Sequence, residues 1–347
     1  MDSRLCGQSS LEVSVFGLGT MTFGAESDEG MSHRVLDVYY ERGGRFIDTA
    51  DVYSHGVSEE IVGRWLRSRN PADVVIGTKA RFAMGTRRDE QGAGRAHLVK
   101  ALDASLDRLG VDVIDLYQMH AWDPEVPIEE TLQTLDEFVR AGKVRHLGVS
   151  NYTGWQLVKA VQTASRNQWA PIVVLQPQYS LLAREIEWEV VPACLDTGIG
   201  ILPWSPLGGG WLTGKYSPDE RPKGTSRLGE DPERGVEAYN LRNTNRTWDV
   251  LSAVGDIAQK RGVSMSQVAL NWVRNRPGVC SVLLGCRTVE QLEDNLGALD
   301  WDLTADEMTG LTEESAPGMP TYPHGFLEKL AGVDVWERLG TRVQPVL

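Results

Sequence analysis

Asp48, Tyr53, Lys79 and His120 are residue types suited to moving a proton. The strand-like runs RFID, VVIGTK and VIDLYQMH carry or precede them, and Tyr53 stands five residues beyond Asp48. A phenol becomes a better proton donor when a cation lies beside it, so Lys79 would make Tyr53 more acidic. Asp48 would keep Lys79 charged and oriented. His120 would donate a hydrogen bond to a substrate oxygen and so place the carbon it belongs to. The set points to an enzyme acting on a small molecule. The same residues leave a second chemistry open: Lys79, with its pKa lowered, would attack a carbonyl and form a Schiff base, as in a lyase or aldolase.

Residues this far apart in sequence meet only if the fold gathers strand ends. After SSLEVSVFGLGT, apolar segments recur around residues 45–48, 73–78, 112–119, 144–149, 172–175, 199–203 and 279–284, giving eight strand candidates with the first. They alternate poorly, as strands buried on both faces do. Between them lie helical patterns. HLVKALDASLDRLG sets Leu98, Ala101, Leu102, Ser105, Leu106 and Leu109 on one face before a terminating glycine, and EETLQTLDEFVRAG repeats this with Leu132, Leu135, Phe138 and Val139. Thr153 before Gln156, Ser264 before Gln267 and Thr288 before Gln291 read as capping boxes.

Strand and helix alternating eight times predict a TIM (β/α)8 barrel, with residues at the ends of the strands converging at one mouth. An open dinucleotide-binding sheet is disfavoured, because GLGTMTFG lacks the GxGxxG spacing. Residues 1–14 predict an N-terminal strand pair or plug. Residues 208–246, rich in glycine, proline and charge, predict a long, partly ordered loop after strand 7 that acts as a lid. Beyond residue 302 the pattern predicts a C-terminal extension, a helix and a tail around the mouth, with a role in substrate selection. Residues 1–347 are expected to form a single barrel domain.

Composition narrows the partners. With a formal charge of −13 the surface would repel polyanions at long range, so nucleic acid is not an expected partner. No segment is long and uncharged enough to cross a bilayer, and MDSRLCGQSSLEV lacks the basic start and apolar core of a signal peptide, so a cytoplasmic location is expected. Cys6, Cys194, Cys280 and Cys286 form no CxxC pair and read as reduced thiols. The six histidines are dispersed without HxxxH, and no metal is expected. Nothing in the pattern fixes whether the chain associates with itself.

Taken together, GLGTMTFG, RFIDTADVYSHGVSEEIVG, VIGTK, DVIDLYQMH, KVRHLGVSNY, VVLQPQYSLL, ILPWSPLGGGWLTGKY and SVLLGCRTVEQLEDNLGAL make the chain resemble the aldo-keto reductases over nearly the whole barrel. DxxxxY, the lysine and the histidine at strand ends carry most of that resemblance. It implies reversible reduction of an aldehyde or ketone by a nicotinamide cofactor, usually NADPH, with Tyr53 protonating the carbonyl oxygen as hydride arrives.

The resemblance also implies cofactor contacts. Gly19 and Thr20 belong to the first strand end, and Ser150, Asn151 and Gln176 would hold the nicotinamide carboxamide. Trp204 stands where the family usually has an aromatic residue, often tyrosine, against the nicotinamide face. Ser205, Leu207, Gly209 and Lys215 would serve the pyrophosphate. Gly285, Arg287, Gln291 and Asn295 would receive the adenosine portion, Arg287 favouring NADPH through its 2′-phosphate while NADH use stays open. Trp122, Tyr179 and Trp211 are the expected substrate-pocket aromatics. The carbonyl substrate itself is not defined by these motifs. A different class of reading also follows, that of a nucleotide-binding, redox-sensing module like the channel beta subunits of this family.

Overall fold

A computed structural model describes residues 1–318 and 320–331. An antiparallel pair, β1 (Ser3–Leu5) and β2 (Glu12–Ser14), precedes the eight parallel strands. These are β3 (Phe16–Gly19), β4 (Phe46–Asp48), β5 (Val75–Ala80), β6 (Ile114–Met119), β7 (Val144–Ser150), β8 (Ile172–Gln176), β9 (Gly200–Ile201) and β10 (Val282–Gly285). Their order in the sheet is β10-β3-β4-β5-β6-β7-β8-β9. The two ends meet: Ile201 donates to the Gly278 carbonyl at 2.8 Å, Cys280 to Ile201 at 3.0 Å and Leu283 to Pro203 at 2.9 Å. The sheet is thereby closed into the expected (β/α)8 barrel, with the expected strand pair in front of it.

Short strands suffice because each is buried on both faces. The segment expected as a strand over 199–203 shrinks to two residues, since Pro203 has no N–H to give to a ladder. Lys79 lies inside β5, next to its last residue, and His120 immediately follows β6.

The helices follow their strands in order. They are α1 (Glu29–Glu41), α2 (Val57–Arg69), α3 (Arg95–Leu109), α4 (Ile128–Arg140), α5 (Gly154–Arg166) and α6 (Val190–Thr197). In α3 the predicted face is buried through Leu98, Ala101, Leu102, Ser105 and Leu109, with Leu106 half-buried. Each fully buried leucine contributes about 1.5–3 kcal/mol. Gly110 ends the helix in the left-handed region at φ 67°, its N–H donating to Leu106 at 2.8 Å. Helices α2 and α3 touch through Gly63, where a Cβ would lie 2.2 Å from the Arg108 carbonyl oxygen.

The loop after β9, the seventh barrel strand, holds a 3-10 turn at Gly208–Thr213 and the one-turn helices α7 (Arg227–Glu230) and α8 (Tyr239–Arg242). It is stitched through Glu237, whose carboxylate accepts from Gln178, from Ser205 at 3.2 Å and from Arg242 at 2.9 Å. The chain continues through α9 (Asn245–Arg261), α10 (Met265–Arg274), α11 (Val289–Leu296) and α12 (Ala305–Glu314). Of the expected capping boxes, Thr153–Gln156 forms both bonds. Thr288 accepts from the Gln291 N–H, but the Gln291 side chain turns to the Arg287 N–H at 2.8 Å.

Helix α12 packs on α9, tied by Arg261 to Glu307 at 2.5 Å, so this part of the C-terminal extension lies on the flank of the barrel. After it, α13 (Phe326–Ala331) follows His324, which approaches Glu189 at 3.4 Å. Residues 332–347 of the expected tail lie outside the described residues. Among the described residues no helix is long and apolar enough to cross a membrane, and no group of three metal-ligating side chains is assembled.

Candidate active site

Strand ends β4, β5 and β6 bring Asp48, Tyr53, Lys79 and His120 together. Lys79 is fully buried and donates to Asp48 Oδ2 at 2.5 Å, to the Thr49 carbonyl at 2.8 Å and to the Tyr53 hydroxyl at 3.3 Å. Asp48 Oδ1 accepts from Gln118 and Gln176, each at 3.0 Å. The Tyr53 ring stands edge-on to His120 with centroids 5.8 Å apart, and Phe82 lies 4.6 Å from the same imidazole.

These surroundings set the charges. Burial alone would lower the Lys79 ammonium, but Asp48 and then Tyr53 outweigh it and its pKa is raised. A lysine held protonated is a poor nucleophile, which counts against the Schiff-base alternative. Burial raises the Tyr53 phenol, and Lys79 opposes this without reversing it. Lys79 acts on the phenol in the expected direction, while desolvation of the phenolate is the larger effect and leaves the net shift upward. Burial, with help from Lys79, takes the His120 imidazole well below its ordinary value. It is neutral at physiological pH, and its buried Nδ1 has no partner among the described residues.

Backbone strain concentrates here. Ser54, His55, Arg81, Asn151 and Ser205 all have φ between 50° and 147°, and each lies within seven residues of a barrel strand's end or within it on the way to the mouth. Non-glycine residues hold such angles only where their surroundings enforce them, and such positions cluster at functional sites.

The expected nicotinamide-side residues form one hydrogen-bonded rim. The Ser150 hydroxyl donates to the Gln176 carbonyl at 2.8 Å, Asn151 Nδ2 to the His120 carbonyl at 3.0 Å and Trp204 Nε1 to Asn151 Oδ1 at 3.0 Å. Gln176 adds a role not foreseen, holding Asp48 with its amide. Thr20 is buried, its hydroxyl donating to the Asp48 carbonyl at 3.1 Å, and Gly19 pairs with Asp48 and Gly285.

Further along, Ser205 Oγ accepts from Gly209 N at 3.1 Å, and Gly208, Gly209 and Gly210 have φ of 58°, 64° and 97° after Leu207. A Cβ at Gly210 would lie 2.5 Å from Lys215 Nζ. Lys215 makes no ion pair among the described residues, and its pKa is lowered by partial burial and then by Arg287 and Arg227. Arg227 beside it keeps a buried Nε without a partner among the described residues. Two cations with unmet demand beside a glycine cradle suit a pyrophosphate, and a neutral imidazole with an orphaned nitrogen suits a polar ligand at the mouth. The residues present therefore fit a dinucleotide. Gly285 ends β10 with open space at its Cα, Gln291 is exposed, and Asn295 is buried in α11.

The expected substrate aromatics separate. Trp122 is half-buried at the mouth, edge-on to Tyr152 and to the 61% exposed Trp155. Tyr179 is fully buried, its hydroxyl between Glu187 at 2.5 Å and Arg276 at 2.9 Å. Trp211 is fully buried, bonded to the Glu237 carbonyl and packed among Tyr216, Tyr239 and Trp248. Their rings meet protein on every side, so the structure does not bring these two to an open pocket wall as expected.

Gln118, Phe82, Arg227 and Glu237 escaped the sequence reading. Only Gln118 left a signal there, since it shares a strand face with His120 at a spacing of two.

The fold and this group of strand-end residues define a barrel enzyme. The sequence model of the Aldo/keto reductase family matches residues 15–315, and the chain belongs to that family. It is 33% identical to versiconal hemiacetal acetate reductase of Aspergillus parasiticus over 91% of this chain and 98% of that protein. It is 34% identical to protein tas of Escherichia coli over 91% and 97%. A probable voltage-gated potassium channel subunit beta of Arabidopsis thaliana is 34% identical over 86% of this chain and 92% of its own length. As a family member the chain is an oxidoreductase that works with a nicotinamide cofactor.

Proposed function

We propose that the chain reduces an aldehyde or ketone to an alcohol with NADPH, Tyr53 giving its phenolic proton to the carbonyl oxygen. The observation that carries this reading is Lys79, held at 2.5 Å from Asp48 and 3.3 Å from the Tyr53 hydroxyl beside a neutral His120. A reduced nicotinamide, when bound, supplies the hydride. The protein's part is to position and to handle the proton. His120 donates a hydrogen bond to the carbonyl oxygen, and Tyr53 delivers its proton as charge develops there. Lys79 stabilises the phenolate left behind, and Asp48 holds Lys79 charged. The Tyr53 phenol, whose ordinary value of about 10 is raised further by burial, is protonated at neutral pH, as the reductive direction requires.

Ser150, Asn151 and Gln176 are proposed to orient the nicotinamide carboxamide, Trp204 to lie against its ring, Lys215 with the Gly209 cradle to hold the pyrophosphate, and Arg287 to meet the 2′-phosphate. The test is substrate-dependent oxidation of NADPH and NADH across a panel of aldehydes and ketones, with coenzyme binding measured separately. Turnover supports the reductase. The similarity to a potassium channel subunit beta favours a second reading, a nucleotide-binding partner protein. Coenzyme binding without turnover of any carbonyl would move the assignment there.

A further inference from the structure

A cleft of about 420 Å³ opens where α1, α11 and the lid loop approach one another. Arg287, Glu26, Asp28, Glu230 and Gln291 are among its lining residues, and Arg287 is the one cation among those described. That cation is already engaged. Its Nη1 donates to the Thr225 carbonyl at 2.8 Å and to Glu230 Oε1 at 3.2 Å, and its Nη2 donates to Glu230 Oε2 at 3.3 Å. Glu26 Oε1 stands 3.5 Å from Nη2 and also meets Arg234 at 2.7 Å. The Asp28 carboxylate caps α1, accepting from the Met31 N–H at 2.7 Å.

The fork that would grip a phosphate with two parallel bonds is thus gripping a carboxylate. A 2′-phosphate, carrying between one and two negative charges, would enter a cleft whose other charged groups are all carboxylates. A ribose 2′-hydroxyl meets no such opposition, because a carboxylate is a good acceptor for it, as in other dinucleotide sites. Lys215 and Arg227 lie nearer the glycine cradle, so pyrophosphate binding is common to both coenzymes and does not discriminate.

We infer that Glu230 is a coenzyme-discriminating residue: it competes with the 2′-phosphate for Arg287 and narrows the preference for NADPH over NADH. The inference rests on the nicotinamide reading proposed above and deepens it. Its expression depends on the lid, since Glu230 closes α7 and the same guanidinium holds the Thr225 carbonyl.

The test reads dissociation constants for NADP+ and NAD+ by calorimetry on wild type, Glu230→Gln and Arg287→Met, so no substrate is needed. Releasing a partly exposed pair and removing one like charge should tighten NADP+ binding roughly fivefold to tenfold in Glu230→Gln. NAD+ should change by less than about twofold. Arg287→Met should weaken NADP+ selectively. Glu230→Ala repeats the comparison without the amide, and thermal melting checks that each variant is folded. An unchanged NADP+ to NAD+ ratio in both Glu230 variants overturns the inference while leaving the reductase reading intact. Failure of wild type to bind either dinucleotide overturns both.

Discussion

Lys79 and Asp48 form an ion pair of 2.5 Å in the closed interior of the barrel, and the pair is complete only because Gln118 and Gln176 both donate to the remaining carboxylate oxygen. Removing one member leaves the other charged, buried and unpaired. Lys79→Met is expected to cost about 3–5 kcal/mol of stability. Lys79→Met combined with Asp48→Leu should cost less than the sum of the single changes. Urea unfolding of the four proteins measures this, and strict additivity would contradict the proposed coupling.

Tyr53→Phe keeps the ring against His120 and removes the proton. Turnover should fall at least about a hundredfold, the usual share of a positioned acid. Coenzyme affinity should stay within about twofold of wild type. Equal losses in turnover and in coenzyme binding would mean that the hydroxyl serves architecture rather than proton transfer.

Gln118→Leu deprives Asp48 of one donor and Gln176 of its second acceptor, at 3.3 Å, while Gln176 keeps its bond to Asp48. The expected result is a loss of about 1–3 kcal/mol in stability, with kcat lowered more than KM for the carbonyl is raised. Gln118→Glu should be worse, because it sets a second carboxylate against Asp48. A Glu variant as active and stable as wild type would remove Gln118 from the positioning of the Lys79 pair.

Gln118 also marks the limit of what could be read beforehand. The barrel was legible because parallel strands buried on both faces leave short apolar runs, and helices with one buried face leave a period of 3.6 between them. DTADVY, GTK and QMH each sit at such a run's end, so their convergence followed from the fold. What Gln118 bonds to depends on β4 and β8 across the barrel. Arg287 read as a free phosphate ligand because Glu230, 57 residues away, has no sequence relation to it. The acidifying effect of Lys79 on Tyr53 is legible because a cation can be placed from sequence, whereas the larger opposing effect of burial depth is not. Tyr179 and Trp211 were misplaced for the same reason, since an aromatic residue after a strand can fill either the pocket wall or the packing behind it.

His120 should not titrate in the physiological range. Burial first, and Lys79 second, push its pKa well below 6.5, so the ring is deprotonated across neutral pH and is positively charged only in acid. The rate of carbonyl reduction is therefore expected to show no imidazole ionisation between about pH 6 and 8. The pH dependence of kcat/KM, together with the NMR shifts of the His120 ring, checks this. A ring titrating near its ordinary value would show that the site is wetter than its packing against Phe82 and Tyr53 implies.

Asp51 lies three residues beyond Asp48, fully buried, with no side-chain partner for either carboxylate oxygen among the described residues. Burial, reinforced by Glu59, raises its pKa from 3.8 to about 7, while the Val52 backbone N–H, then Arg108 and Lys79, oppose the shift. The nearby Tyr117 hydroxyl is also buried and unpartnered. Because the folded state binds this proton more tightly than the unfolded chain, the stabilising contribution is full below 3.8 and is lost as pH rises through about 7. The displacement corresponds to at most roughly 4 kcal/mol. Asp51→Asn keeps the shape of the protonated acid and cannot ionise. Its unfolding midpoint in urea should match wild type below about pH 3.8, exceed it by a growing margin as pH rises from there towards 7, and keep that margin at pH 8.5. Parallel profiles for the two proteins would mean that Asp51 is ionised and paired in solution, and that the buried acid contributes nothing to the pH dependence of the fold.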